Sequence, residues 1–332
     1  MERNGLGLSI LDRSRTRAGE QDADALERTV ERAARAEELG YDRFWVAEHH
    51  AVPGIASGSP TVLMAAVAAR TRTIRVGSGG VMLPLHQPVV VAEQALMLEA
   101  LHPGRIDLGI GRSLGFTAAV RDALRVREAD VGRFAEDVAE LRSYLDGTGP
   151  VTARPAVTGP PVLVLATGEG VAVAARAGLP VVVGGPALRD PSLLQRYREE
   201  FVAHDGTRPQ VLVSVDVMVA ESTERARELL LPEAWAMALS RETGSFEALR
   251  SLEELRELQL TDRRRRSIQR TLDAAVAGDP DAVGEQLDEV LERTGADELL
   301  AWSSTFDPGD QAASDEALAA LFGRVPRATP AP

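Results

Sequence analysis

Short apolar runs alternate with longer stretches of helical period along the chain. LGLSIL (Leu6 to Leu11) reads as a first strand, FWVA (Phe44 to Ala47) as a second and IRVGSGGVML (Ile74 to Leu83) as a third. RIDLGIG (Arg105 to Gly111), VLVLAT (Val162 to Thr167), LPVVVGG (Leu179 to Gly185), VLVSVDVMVA (Val211 to Ala220) and ELLAWSS (Glu298 to Ser304) continue the series. FWVA is apolar on both faces, as a buried parallel strand requires. Between the runs lie helical patterns with stop and start signals. Leu26, Val30, Ala33, Ala34 and Leu39 share one face of a helix that Asp22 or Asp24 caps and Gly40 ends. Pro60, Pro88 and Pro280 each sit where a first helical turn begins. Eight strands with helices between them predict a (β/α)8 TIM barrel rather than an open sheet. Residues 221–278 are too many for one connection and read as a helical insertion between strands seven and eight. Residues 1–324 then form one barrel domain, and the tail 325–332 reads as disordered.

Composition narrows the chemistry. The 332 residues carry a formal charge of -13, which disfavours a nucleic-acid partner. There is no cysteine and no lysine; all 37 basic residues are arginine. Thiol nucleophiles, thiolate metal sites, lysine Schiff bases and P-loops are therefore excluded. The run Arg263 to Arg266 stands among acidic residues and reads as a solvated helix face or lid. No signal peptide and no run of about 20 apolar residues is present, so a cytoplasmic protein without a membrane partner is expected.

In a parallel barrel the chemistry sits at the carboxyl ends of the strands. The second strand ends in Glu48, His49 and His50. Glu48 and His49 should face the open mouth as a catalytic pair, or else cap the loop that follows. No metal is expected: His49 and His50 point apart on extended chain, and no HxH or HxxxH spacing supplies a second close ligand. The third strand carries Gly77, Ser78, Gly79 and Gly80. Glycine inside a strand marks a bulge or the close approach of a ligand, so Ser78, Gly79 and Gly80 are candidate floor residues for a flat ligand. The fourth strand ends in GIGRS. Its Gly109, Gly111 and Gly115 make only a displaced dinucleotide fingerprint. Arg112 is the stronger candidate, a cation just beyond a strand end that either meets a phosphate or forms a surface ion pair. After the fifth strand, Thr167, Gly168, Glu169 and Gly170 turn into a helix whose free N–H groups suit a phosphate, although the Glu169 carboxylate competes there.

Three segments together, GYDRFWVAEHH, IRVGSGGVMLPLHQPVVVAEQ and LHPGRIDLGIGRS, resemble the bacterial luciferase-like monooxygenases. The likeness is closer to one-component oxidoreductases found near biosynthetic clusters than to light-emitting subunits. It implies a TIM barrel that binds reduced FMN, or the deazaflavin F420 in some branches. It implies acid–base work for His49 beside the flavin, with Glu48 orienting it or packing beside the ring. It implies a non-proline cis peptide at Gly79–Gly80, a cofactor contact for Arg112 and a structural role for Glu93. His86 lies one position before the family's usual histidine and receives no catalytic role; His102 and His204 read as surface or structural. The implied reaction is oxidation of a small organic substrate by O2 through a flavin hydroperoxide, with the insertion covering the site, a separate reductase supplying the flavin, and a homodimer. F420-dependent hydride transfer and a non-catalytic flavin-binding subunit are the alternatives.

Overall fold

The apolar runs become parallel strands in the computed structural model, which describes residues 3, 5–115, 117–204 and 206–325. Of the expected disordered tail 325–332, all but residue 325 lies outside them. The chain runs β1 (Gly7–Asp12), α1 (Asp22–Glu38), β2 (Arg43–Val46), α2 (Pro60–Arg70), β3 (Arg75–Ser78), β4 (Val81–Met82), α3 (Pro88–Leu101) and β5 (Ile106–Gly111). After α4 (Ala118–Ala123) and α5 (Phe134–Leu145) come β6 (Val162–Leu165), α6 (Glu169–Ala177), β7 (Val181–Gly184), α7 (Pro191–Glu199) and β8 (Val211–Val219). The chain ends with α8 (Thr223–Thr243), α9 (Leu252–Glu257), α10 (Asp262–Leu272), β9 (Val276–Gly278), α11 (Pro280–Thr294), β10 (Glu298–Trp302) and α12 (Pro308–Leu321).

The strands pair in the order β10, β1, β2, β3, β5, β6, β7, β8, and β10 pairs with β8 to close an eight-stranded (β/α)8 barrel. Three readings change. The third run is two strands, because the chain breaks at Gly79–Gly80 and β4 moves across to pair with β5. The stretch up to Gly278 is not all helix: Val276–Gly278 forms β9 and extends the upper end of β8. Three residues are too few to show a period. The cap of α1 is Gln21, whose N–H donates to Asp24 at 2.9 Å. No helix among the described residues is long and apolar enough to cross a membrane.

Alternation along the strands divides the core in two. Ile10, Phe44, Val76, Leu108, Val164, Val183 and Val213 point outward and meet the helices in the main apolar layer. Leu11, Trp45, Leu163, Val182, Leu212 and Leu300 point inward and fill the barrel waist. Below them the inward positions are charged. Arg43 donates to Asp107 at 2.8 Å and Glu298 at 3.0 Å, Arg75 donates to Asp107 at 2.6 Å, and Ser9 donates to Glu298. Trp45 Nε1 donates to Asp107 Oδ2 at 3.2 Å, which joins this floor to the apolar waist.

Asp107 is fully buried and balances two guanidinium groups. Removing one partner of such a cluster strands the others, at about 3–5 kcal/mol. Asp107→Ala should lower the free energy of unfolding by that order in urea melts. A loss below about 1 kcal/mol would show that the floor is not a stability element.

Candidate active site

On β2 the inward row is Arg43, Trp45 and Ala47, and His49 continues it into the mouth at the carboxyl end. Its backbone N–H donates to Ser57 O at 2.9 Å, which fixes the turn out of the strand. Burial, with Arg13 and Arg15 nearby, pushes the imidazole down to about 3. Arg13 continues the inward row of β1. Its guanidinium lies 4.2 Å from the Trp302 ring centroid and 2.9 Å from Glu233 on α8. Arg15 meets the other oxygen of Glu233 at 2.8 Å. Asp216, level with Trp302 in the β8–β10 register, completes this polar half of the mouth. It is buried and its Oδ1 has no hydrogen-bond partner in the structure. Burial pushes its carboxyl up to about 8 against the pull of Arg13, with Glu233 adding to the rise.

The other half of the mouth is poor in side chains. Gly79, Gly111 and Gly184 occupy the inward upper positions of the β3, β5 and β7 walls. Part of this serves internal packing. A Cβ on Gly79 would come 2.4 Å from Leu11 Cδ1, and one on Gly80 2.9 Å from the Gly109 carbonyl. Gly109 is the tightest, at 2.0 Å from the Ser78 carbonyl, so it belongs to strand packing and not to a dinucleotide loop. Gly111 has nothing nearer than 3.7 Å and Gly168 nothing within 4 Å, so bare backbone faces open space there. The Gly79–Gly80 peptide is cis. Ser78 turns away from the mouth: it is fully buried and donates to Gly109 O at 2.8 Å.

Glu48 sits at the rim, and its carboxylate is engaged by His50, His86 and Met82. Its Oε1 lies 2.5 Å from His50 Nε2 and 2.7 Å from His86 Nε2, and its Oε2 accepts the Met82 N–H at 2.7 Å. Burial works to raise the Glu48 carboxyl, but these hydrogen bonds outweigh it and hold it at about 2. His86, given no role from the sequence, is therefore part of the rim. Across the mouth, Arg112 donates to Glu169 at 2.9 Å, and both are exposed. Gly168 caps α6, Thr167 is exposed, and Gly170 is buried against Ala166. The structure thus brings Arg112 to the Thr167–Gly170 turn and His49 to the polar half. Arg264, from the arginine run, meets Glu242 at 2.5 Å on the outer helices.

Asp216, Glu233, Arg13 and Arg15 were missed. Asp216 did leave a trace: a single carboxylate in an apolar strand, spaced by two from Ser214 and Leu212, has to face inward. Glu233 left none, because α8 has Pro232 inside it and buried residues on several faces.

A profile described as luciferase-like monooxygenase matches residues 6–298. The N-acetyl-S-alkylcysteine monooxygenase of Bacillus subtilis is 39% identical over 233 residues, 67% of this chain and 70% of its own. The structure of apo-MsnO8 superposes with a TM-score of 0.84 at 33% identity, over 97% of this chain and all of that one. More distant barrels share the fold alone. One is the oxygenating constituent of 3,6-diketocamphane monooxygenase from Pseudomonas putida with FMN (18% identity, TM-score 0.73, 95% and 97% covered). Another is an F420-dependent secondary alcohol dehydrogenase with an F420–acetone adduct (16%, 0.65, 96% and 99%).

From near pH 4 up to about 8, the unfolded chain has released the Asp216 proton while the folded chain keeps it. Folding is therefore penalised progressively as pH rises through that window. Asp216→Asn removes the penalty. Its melting temperature relative to wild type should climb between pH 4 and 8 and stay level below pH 4. A difference independent of pH would show that Asp216 is ionised in the fold.

Proposed function

The chain belongs to the luciferase-like monooxygenase family, and from that premise we propose that it is a monooxygenase that uses reduced FMN and O2 to oxidise a small organic substrate. The observation that carries this reading is the asymmetric mouth, in which backbone-lined walls on β3, β5 and β7 face His49, Arg13, Asp216 and Trp302. A flat aromatic group needs such a bare wall, and its polar edge needs the opposite half.

The residues fit the cofactor. Gly111 and Gly168 leave unfilled space beside the backbone, and the buried Asp216 Oδ1 offers a polar contact that the protein does not use. Arg112 and the N-terminus of α6 would take the phosphate. Glu169 pairs with Arg112 in an exposed contact of small energy, so it swings aside at little cost. When bound, the reduced flavin supplies the two electrons; one oxygen atom goes to the substrate and the other leaves as water. His49 would accept and return a proton at its imidazole beside the ring. Glu48 acts on the floor indirectly, by holding Met82 N–H and so β4 just beyond Gly80. The segment after α8 covers the β1 and β2 loops: Phe246 packs with Val52 and Ile55 and stacks on Arg15 at 4.4 Å. It limits water entry over that half. A separate reductase supplies the flavin.

A second copy of the chain would cover the exposed apolar face of α2 and α3, where Val62 is 69%, Met97 55% and Leu101 68% exposed. Sedimentation should show a dimer, and Met97→Glu with Leu101→Glu should give a folded monomer. A wild-type monomer ends this part of the reading.

The functional reading is tested by adding reduced FMN or reduced F420 anaerobically and then admitting O2. Reduced FMN should bind and oxygen should be consumed, while NADH alone should do nothing until a flavin reductase is added. His49→Ala should retain FMN but lose substrate oxidation by about 10²–10⁴-fold. Failure to bind FMN, or binding of F420 alone, overturns the assignment.

A further inference from the structure

The buried carboxylates among the described residues show a rule and two exceptions, one of them Asp216, which has no ion pair. Asp12, Asp107, Asp137, Glu233, Glu298 and Asp315 each have an arginine within 4 Å. Glu48 is only 1% exposed, yet the partners of its charge are two imidazoles. The chain has five histidines and 37 arginines, and it places two of the five on one buried carboxylate oxygen. An arginine there would neutralise the charge permanently. Two imidazoles instead supply lone pairs once their Nε2 protons are lost.

We propose that Glu48, His50 and His86 form a binding site for a divalent transition-metal ion of the Zn2+ type, at the rim of the barrel and outside its mouth. Each residue offers one donor atom, and the three donors all lie within 4.8 Å of one another. Zinc holds histidine nitrogen and carboxylate oxygen at ~2.0–2.2 Å, so neighbouring donors in a tetrahedral set stand roughly 3.3 Å apart. The present separations of 2.5 and 2.7 Å from Oε1 to the two Nε2 atoms therefore need to widen by less than about 1 Å. The imidazole rings are already inclined, at 49° with centroids 6.3 Å apart, and both turn the same nitrogen inward.

The surroundings suit a three-ligand site with one position left for water. Glu48 Oε2 is held by the Met82 N–H at 2.7 Å, which fixes the carboxylate and directs Oε1 at the two rings. The side chains of His50 and His86 are 19% and 32% exposed, so solvent reaches the donors from the histidine side while the carboxylate stays dry. The ligand set of two nitrogens and one oxygen, without thiolate, suits Zn2+ and neighbouring first-row ions rather than Mg2+ or Ca2+. His49 takes no part, because it faces the mouth. A bound ion would tie the exit of β2 to the turn Leu83–Leu85 that follows β4.

The test needs no flavin. Untagged full-length protein, stripped with EDTA and dialysed, is titrated with ZnCl2 in a calorimeter at neutral pH, and with CoCl2 by visible absorption. One ion per chain is expected, with a rise in melting temperature and the absorption bands of a low-coordinate cobalt site. His50→Ala and His86→Ala should each weaken binding by about 10-fold or more. His102→Ala and His204→Ala should leave stoichiometry and affinity unchanged. Absence of Zn2+ binding by the wild type overturns the proposal, as does binding that persists when both His50 and His86 are replaced. Because the readout is metal uptake, either result leaves the monooxygenase reading standing, and failure to bind FMN leaves the metal site standing.

Discussion

A closed barrel admits only every second residue of a strand, and this parity governs what each functional side chain can reach. On β2 it carries Arg43 to the floor, Trp45 and Ala47 to the waist and His49 to the mouth. Glu48 and His50 take the opposite parity and meet His86 at the rim. Three consecutive polar residues thus serve two neighbourhoods. One residue more or fewer before Glu48 would exchange them. It would place the carboxylate in the mouth, facing Glu233, and move the imidazole at position 49 out of reach of the inward-facing wall.

The same parity explains how far the sequence could be read. Apolar runs marked all eight barrel strands, because both faces of each are covered. Proline at the first helical turn placed α2, α3 and α11 within a residue or so. The position of a candidate residue was legible where one strand end carried it, as at His49, Arg112 and the Gly168 turn. It was illegible where partners came from distant segments. His50 and His86 are separated by α2, β3 and β4, and their shared contact is created only by β4 moving across to β5. Glu233 is brought to Arg13 and Arg15 by a helix from the insertion, 220 and 218 residues along the chain. Local periodicity holds no record of such meetings.

Most buried carboxylates among the described residues are met by arginine, and the structure shows why the choice matters. A guanidinium has five donors in a plane, so one side chain can serve two carboxylates. Arg43 does this between Asp107 and Glu298, and Arg32 between Asp12 and Asp315. These double contacts let a chain of formal charge -13 bury acids at the barrel floor and beside α12 without leaving them unbalanced. Asp216 and Glu48 lie outside the scheme: Asp216 stands level with the last residue of β10, and Glu48 lies two residues beyond β2.

The contact of Glu233 with Arg13 and Arg15 bears on traffic. Its carboxylate is almost wholly enclosed, and each of its oxygens faces a guanidinium. Parting α8 from the loop after β1 would leave three charges stranded in a dry setting. That side of the roof is therefore a ceiling bolted in place and not a hinged flap. The exposed pair Arg112 and Glu169 on the opposite wall is held by a contact that water already loosens, so that side of the rim yields more readily.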